Sequence, residues 1–353
     1  MTGVRLGLSL GYLTSTGSPV EHLALTQEAD RLGYAVVWVA ESYGSDSPSV
    51  LAWLAGQTSR IDVGAAVMQI PARTPAATAM TAATIDTLSG GRFRLGLGVS
   101  GPQVSEGWHG VRFGQPLART REYVEIVRRA VARERVEYAG EHYPLPLPDG
   151  PGKALRLNFR PPRSRIPIYL AAVGPRNLEL AGEIADGWLA VFYSPEAAAD
   201  QLAAVTVGRS RVGAELAGFD VVPTVPVVVG DDVSACADLV RGYAALYIGG
   251  MGSRSRNFYH QLATRMGFGA AADVVQDHYL AGRVRDAAAA VPLEFIDRTS
   301  LLGPPTRIAE RIGDFAAAGV TTLSVSLFGD DVEEKKATLR TVAQALDTAG
   351  VGQ

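Results

Sequence analysis

The chain has 353 residues, 47% hydrophobic and 20% charged, which is enough apolar material for a core and excludes a disordered chain. A net charge of -3 offers no basic surface for nucleic acid or an anionic membrane. One cysteine, Cys236, excludes an internal disulfide and a thiolate zinc site, and in a helix predicted over 233–245 it reads as a small buried hydrophobe.

The first eleven residues carry one arginine, and their apolar positions alternate with glycine and serine. They read as a strand rather than a leader peptide; no long apolar stretch follows, so the expected compartment is the cytoplasm. Val4, Leu6, Leu8 and Leu10 show the period of a strand, then Leu25, Ala29 and Leu32 follow at helical spacing until Gly33 stops them. Residues 35–40 are dense in valine and too short for a helix, as a buried parallel strand should be. Helix 48–59 leads to strand 62–69, and helix 75–88 leads to strand 93–100. Helix 117–133 repeats Val124, Val127 and Val131 on one face. Residues 136–165, rich in proline and glycine, read as an excursion from the core. Strands at 167–173 and 187–192 flank a helix ending near Ala185. Helix 197–217, strand 221–229 and a helix to about Leu246 follow. A second excursion, mostly helical, occupies 249–302. Helix 305–318 carries Ile308, Ile312 and Phe315 on one face; strand 321–327 and helix 332–346 close the pattern.

Eight β/α units predict an α/β fold, a (β/α)8 TIM barrel with two long excursions, as one domain over 1–353. A doubly wound sheet is the alternative that periodicity leaves open. Trp38 and Trp53 are expected in the core. A parallel barrel places its site at the carboxyl ends of the strands. Those ends are rich in glycine, small hydroxyls and apolar groups, with Glu41 as their one carboxylate. They show no paired carboxylates and no cluster of metal ligands, so no metal is expected, and such a site suits a bulky cofactor that carries its own chemistry.

Gly96, Gly98 and Gly101 fit the dinucleotide fingerprint G-x-G-x-x-G. That fingerprint requires a helix opening at the glycines. Here Pro102 and a loop-like 104–114 follow, and the first two glycines lie inside a strand, where close approach of another backbone or a ligand is the usual reason. The better-placed signal is Val173-Gly174-Pro175-Arg176-Asn177, a strand end running into a helix start. Backbone N–H groups there form an anion site that Arg176 reinforces, or simply a tight turn.

Leu88-Ser89-Gly90-Gly91-Arg92-Phe93-Arg94-Leu95-Gly96-Leu97-Gly98 resembles the hallmark of the bacterial luciferase-like superfamily, more narrowly its coenzyme F420 (deazaflavin)-dependent oxidoreductases. Gly33-Tyr34 with Val37-Trp38-Val39-Ala40-Glu41 is similar to that family's second unit. Ala171 to Gly174 with Ala181-Gly182-Glu183-Ile184-Ala185-Asp186-Gly187 is similar to its fifth and sixth, and Leu302-Gly303-Pro304-Pro305 with Ala318-Gly319-Val320-Thr321 to its last. The resemblance spans essentially the whole chain. It implies a homodimeric barrel with F420, or alternatively FMN, across the strand ends. Cofactor contacts carried over by position are Gly98, Val99, Ser100, Gly101, Val173, Gly174, Arg176 and Asn177, with Gln69 near the ring's polar edge. It also implies a non-prolyl cis peptide in the third strand, at Ala66–Val67. The sequence departs from the family's sugar-phosphate dehydrogenases, which place an acidic–histidine pair after strand two and a glutamate after strand four. Here those positions are Glu41-Ser42 and Gly101, and the segment from Ala171 to Gly187 looks nearer the methylene-tetrahydropterin reductases.

The candidate catalytic residues are Glu41 for proton handling, Ser42 as a hydrogen-bond donor to the ring or tail, and His109, each with a plain structural reading beside it: an acid bonding backbone or a barrel arginine, a loop cap, a solvated loop histidine. Tyr12 and Trp108 are candidate substrate contacts. The leading expectation is an F420-dependent oxidoreductase moving hydride to or from a small organic molecule, in the reducing direction. The alternatives are an FMN-dependent luciferase-like monooxygenase and a non-catalytic cofactor-binding protein.

Overall fold

The computed structural model describes residues 3–13 and 17–353. Its strands are β1 (Arg5–Ser9), β2 (Val36–Val39), β3 (Asp62–Ala65), β4 (Met68–Gln69), β5 (Phe93–Gly98), β6 (Ile168–Ala171), β7 (Gly187–Val191), β8 (Asp220–Val229), β9 (Leu301–Gly303) and β10 (Thr322–Leu327). All neighbours pair in parallel, and β10 bonds both β1 and β8, so the sheet closes on itself. β4 continues β3 beyond Val67, and β9 lies beside the far end of β8 outside the ring. Eight staves remain, a (β/α)8 barrel whose strands sit where the valine-rich runs predict them.

Close packing in the interior depends on missing side chains. A Cβ on Gly64 would stand 2.4 Å from the Trp38 ring, and one on Gly96 would stand 1.9 Å from the Ala65 carbonyl oxygen. Trp38, Val36, Tyr169 and Val222 fill the barrel. Outside it, helices such as Pro305–Ala317 bury one face, here Ile308, Ala309, Ile312 and Phe315. Each large apolar side chain so covered is worth about 1.5–3 kcal/mol. Proline opens this helix and those at Pro19–Leu32, Pro75–Leu88 and Pro175–Ile184, its fixed φ suiting a sharp exit from a strand.

The amino ends of the strands form a charged floor. Asp220 accepts from Arg94 at 3.3 Å, from Tyr169 at 3.0 Å and from Thr322 at 2.8 Å, and pairs with Arg5 at 3.1 Å. Arg94 also donates to Asp62 at 2.8 Å. At the opposite end the excursions cover the rim. Segment 136–165 is irregular and is pinned by Glu122, whose carboxylate accepts the backbone N–H of Glu141, His142 and Tyr143. Segment 249–302 is mostly helical, as expected, and packs around Phe295, Ile296 and Val275.

Three details differ from the sequence reading. A short helix, Pro102–Gly107, opens directly at Gly101 where a loop is expected, because Pro102 suits a first turn. The fingerprint glycines therefore do precede a helix; what excludes the dinucleotide fold is that Gly96 and Gly98 lie inside a stave of a closed barrel. Trp53 is 38% exposed on an outer helix rather than in the core, whereas Trp38 is buried. An additional strand, β9, ends the second excursion.

Candidate active site

Backbone conformation singles out the carboxyl end of the barrel. Among the described residues, five other than glycine have left-handed φ, and three of them, Ser42 (50°), Ser100 (61°) and Phe192 (50°), lie within three residues of the ends of β2, β5 and β7. Such conformations are costly for residues with side chains and persist where surrounding structure enforces them, commonly at ligand sites. The Ala66–Val67 peptide is cis, between β3 and β4. Val67 then projects towards β5, where a Cβ on Gly98 would lie 2.5 Å from its side chain.

Glu41, just beyond β2, is buried and fully engaged. Arg73 donates to both carboxylate oxygens, at 2.6 and 2.9 Å, and the Gln69 backbone N–H donates to one of them at 3.0 Å. Arg73 also pairs with Asp46, which caps the next helix through Ser49. The carboxylate thus ties the end of β2 to the segment after β4. Gln69 is buried and turns its side-chain amide N–H to the Ser42 carbonyl, which fixes the orientation of the amide. Its Oε1 is left buried with no partner among the described residues. A buried acceptor in that state costs about 1–3 kcal/mol, so its position is suited to a ligand donor.

Beyond β6, Gly174 caps the helix Pro175–Ile184, and a Cβ placed on it would meet nothing within 4 Å. Asn177 donates to the Ala171 carbonyl at 3.4 Å. Arg176 is exposed beside this helix start without a carboxylate partner among the described residues. Arg265, from the second excursion, donates to the Val173 carbonyl at 3.0 Å, and burial holds its guanidinium below the usual arginine range. A helix amino terminus flanked by two cations without counter-ions favours an anion. An open groove of about 310 Å³ runs along the outer face of the same helix, lined by Arg121, Arg176, Glu179, Glu183 and Arg211, and shares only Arg176 with the helix start.

The other half of the mouth is aromatic. The Phe192 ring lies 5.7, 5.6 and 5.2 Å from those of Tyr243, Tyr247 and Phe295. Tyr247 stands 4.8 Å from both Tyr243 and Tyr259, and Tyr243 is 6.0 Å from Phe328 beyond β10. The Tyr12 hydroxyl, beyond β1, engages the side chains of Ser42 and Tyr247. Burial raises the pKa of Tyr12, Tyr243, Tyr247 and Tyr259, that of Tyr259 to about 12. These hydroxyls stay protonated at neutral pH.

The structure therefore brings together Tyr12, Ser42, Glu41, Gln69 and the Ala66–Val67 bond. Gly98, Val99, Ser100 and Gly101 lie along the next stave, with Val173, Gly174, Arg176 and Asn177 on the one after. His109 and Trp108 follow the short helix and have no hydrogen bond to this group. Trp108 is 68% exposed, and His109 Nε2 is buried without a partner among the described residues. Sequence reasoning missed Arg73, Arg265, Tyr243 and Tyr247. The four-residue spacing of the two tyrosines was a visible signal; the arginines lie in a turn and an excursion and gave none. Among the described residues no His, Cys, Asp and Glu side chains group as a metal site, and no helix is long and apolar enough to cross a membrane.

The profile of the luciferase-like monooxygenase family matches residues 6–322. A Mycobacterium tuberculosis protein, described provisionally as a coenzyme F420-dependent oxidoreductase, is 44% identical over 331 residues, 92% of this chain and 95% of that one. The 5,10-methylenetetrahydromethanopterin reductase of Archaeoglobus fulgidus is 30% identical over 83% of this chain and 85% of its own. In fold, the chain is similar to the coenzyme F420-dependent tetrahydromethanopterin reductase of Methanopyrus kandleri, with a TM-score of 0.83, 24% identity, and coverage of 98% of this chain and 99% of that one.

Proposed function

The chain belongs to the luciferase-like monooxygenase family, and from that premise we propose that it is a coenzyme F420-dependent oxidoreductase that reduces a small organic substrate. The choice of cofactor is supported by the relative 44% identical across nearly the whole chain, which carries that description. The site observation that carries the reading is the unpaired, buried Oε1 of Gln69, an acceptor for a ring N–H beside the Ala66–Val67 bond. The residues fit a deazaflavin. Gln69, Val67 and Ser100 would border its ring, while the helix start at Gly174, with Arg176 and Arg265, would hold its phosphate.

When bound, the deazaflavin supplies two-electron hydride transfer. The chain's own residues orient and shield. Glu41 positions Arg73 and the Gln69 backbone. Ser42 holds the Gln69 side chain through its carbonyl. Phe192 and the tyrosines limit water at the mouth. The FMN-dependent monooxygenase is the second reading, because the phosphate of FMN suits the same helix start.

Titration of the purified protein with F420 and, separately, FMN, followed by fluorescence, distinguishes them. The expected result is micromolar F420 binding with FMN at least tenfold weaker. Selective FMN binding, with oxygen uptake on reduction, moves the assignment to the monooxygenase; binding of neither overturns it.

A further inference from the structure

Helix Pro116–Val131 turns Val124, Ile126, Val127 and Val131 to the core, and among them Tyr123, which is fully buried. A phenol in that setting needs hydrogen-bond partners. Burial raises its pKa above the ordinary tyrosine value, so it keeps its proton at neutral pH and acts as a donor. Its O–H gives to the Arg73 carbonyl at 3.1 Å, and its oxygen lies 2.6 Å from Thr78 Oγ1, which donates back. The ring stands edge-on to Tyr143 with centroids 5.6 Å apart, and Glu122 pins the Tyr143 backbone. Tyr123 is thereby fixed by its own helix and by the first excursion, neither of which reaches the proposed ring site.

The carbonyl it holds does reach that site. Among the described residues no backbone N–H donates to the Arg73 carbonyl, which leaves Tyr123 as its donor. Arg73 is joined to Gln69 by the single 3-10 turn Ile70–Ala72, in which Pro71 has a fixed φ and leaves little slack. At the near end of the turn, the Gln69 N–H and the Arg73 guanidinium meet on Glu41, and the Gln69 side chain bonds the Ser42 carbonyl. The segment that carries the unpaired Gln69 Oε1 is therefore held from two sides, by the residues after β2 and by Tyr123.

Resting on the proposed function, we propose that Tyr123 is a positioning residue: through the Arg73 carbonyl it sets where Gln69 presents Oε1, and so how tightly the ring N–H of the cofactor is held. A binding group works to full strength only when its own supports are fixed. Without the phenol O–H the Arg73 carbonyl shifts, and the stiff turn carries that shift to Gln69.

Four proteins test this: the wild type, Tyr123→Phe, Gln69→Leu and the two changes together, each titrated with oxidised F420. Tyr123→Phe is expected to weaken F420 binding roughly 3- to 10-fold, the worth of one hydrogen bond. In the Gln69→Leu background the same change is expected to cost less than about twofold, because the group it positions is gone. The visible absorption band of bound F420 gives a second readout, and Tyr123→Phe is expected to move it from its wild-type position towards that of Gln69→Leu. A purely structural tyrosine would weaken binding by the same factor in both backgrounds and leave the band in place. Either result, or unchanged affinity in Tyr123→Phe, overturns the inference. Should the lone Thr78 hydroxyl unfold Tyr123→Phe, the pair Tyr123→Phe and Thr78→Val takes its place in the cycle, since it removes both partners and still frees the Arg73 carbonyl. A wild-type protein that binds no F420 overturns the proposed function and this inference with it; F420 binding with additive variants overturns this inference alone.

Discussion

The two ends of the barrel hold buried charge in different ways. At the floor, Asp220 is saturated: Thr321 and Thr322 donate to one oxygen, and Arg5, Arg94 and Tyr169 meet the other. At the mouth, one ion pair, Glu41–Arg73, is equally complete, but it stands beside an unpaired amide oxygen, three left-handed residues and two arginines without counter-ions. The same eight staves thus end in a stabilising network on one side and in unfinished hydrogen bonding on the other. This is the division of labour a parallel barrel permits, because only the carboxyl ends carry loops free to vary.

The largest effect that tests this contrast is at the floor. Asp220→Ala would leave Arg5 and Arg94 facing each other in a buried site, with only Asp62 remaining to Arg94. Breaking a buried pair by removing one partner costs about 3–5 kcal/mol. Denaturant unfolding is expected to show that loss, while the folded fraction binds F420 as tightly as before. A variant as stable as the parent would mean that the floor network does not hold the barrel closed.

Gln69→Leu makes the opposite prediction at the mouth. It removes an acceptor that lacks a partner but also the amide N–H given to the Ser42 carbonyl; the two changes oppose each other, so unfolding stability is expected to change by less than about 1 kcal/mol. F420 affinity is expected to fall by roughly 5- to 100-fold, the cost of leaving a ligand donor unmet. If stability falls and affinity does not, Gln69 belongs with the structural network and the contrast between the two ends fails at that residue.

The parts of this arrangement legible in the sequence follow from locality. Each stave is one short, mostly apolar run, so all eight appear in the pattern, and Gly174–Pro175 marks a helix start by itself. The floor was illegible because Arg5, Asp62, Arg94 and Asp220 each look like an isolated charge at the start of a strand; only closure of the barrel assembles them. Glu41 was legible as a strand-end carboxylate, but the identity of its partner was not. Arg73 follows a single 3-10 turn at Ile70–Ala72, and its approach depends on how β3 breaks before β4. Trp53 was misplaced because the helix Ser47–Ala55 is apolar on its outward side as well as its inward one.

Glu41 is the residue on which the comparison turns, since it sits at the mouth but is bonded like the floor. As a proton carrier it would define a limb of the pH–rate profile, and Glu41→Gln would remove that limb together with most of kcat. As a positioning group its replacement leaves the profile's shape intact, because the titrating group was never part of the chemistry. The amide of glutamine still accepts from Arg73 and from the Gln69 N–H, and Asp46 remains to neutralise the guanidinium. A stability loss of about 1 kcal/mol is therefore expected, smaller than at Asp220, together with weaker F420 binding through a displaced Gln69. Unchanged affinity with a vanished pH limb would return Glu41 to the catalytic role that its place at a strand end first suggested.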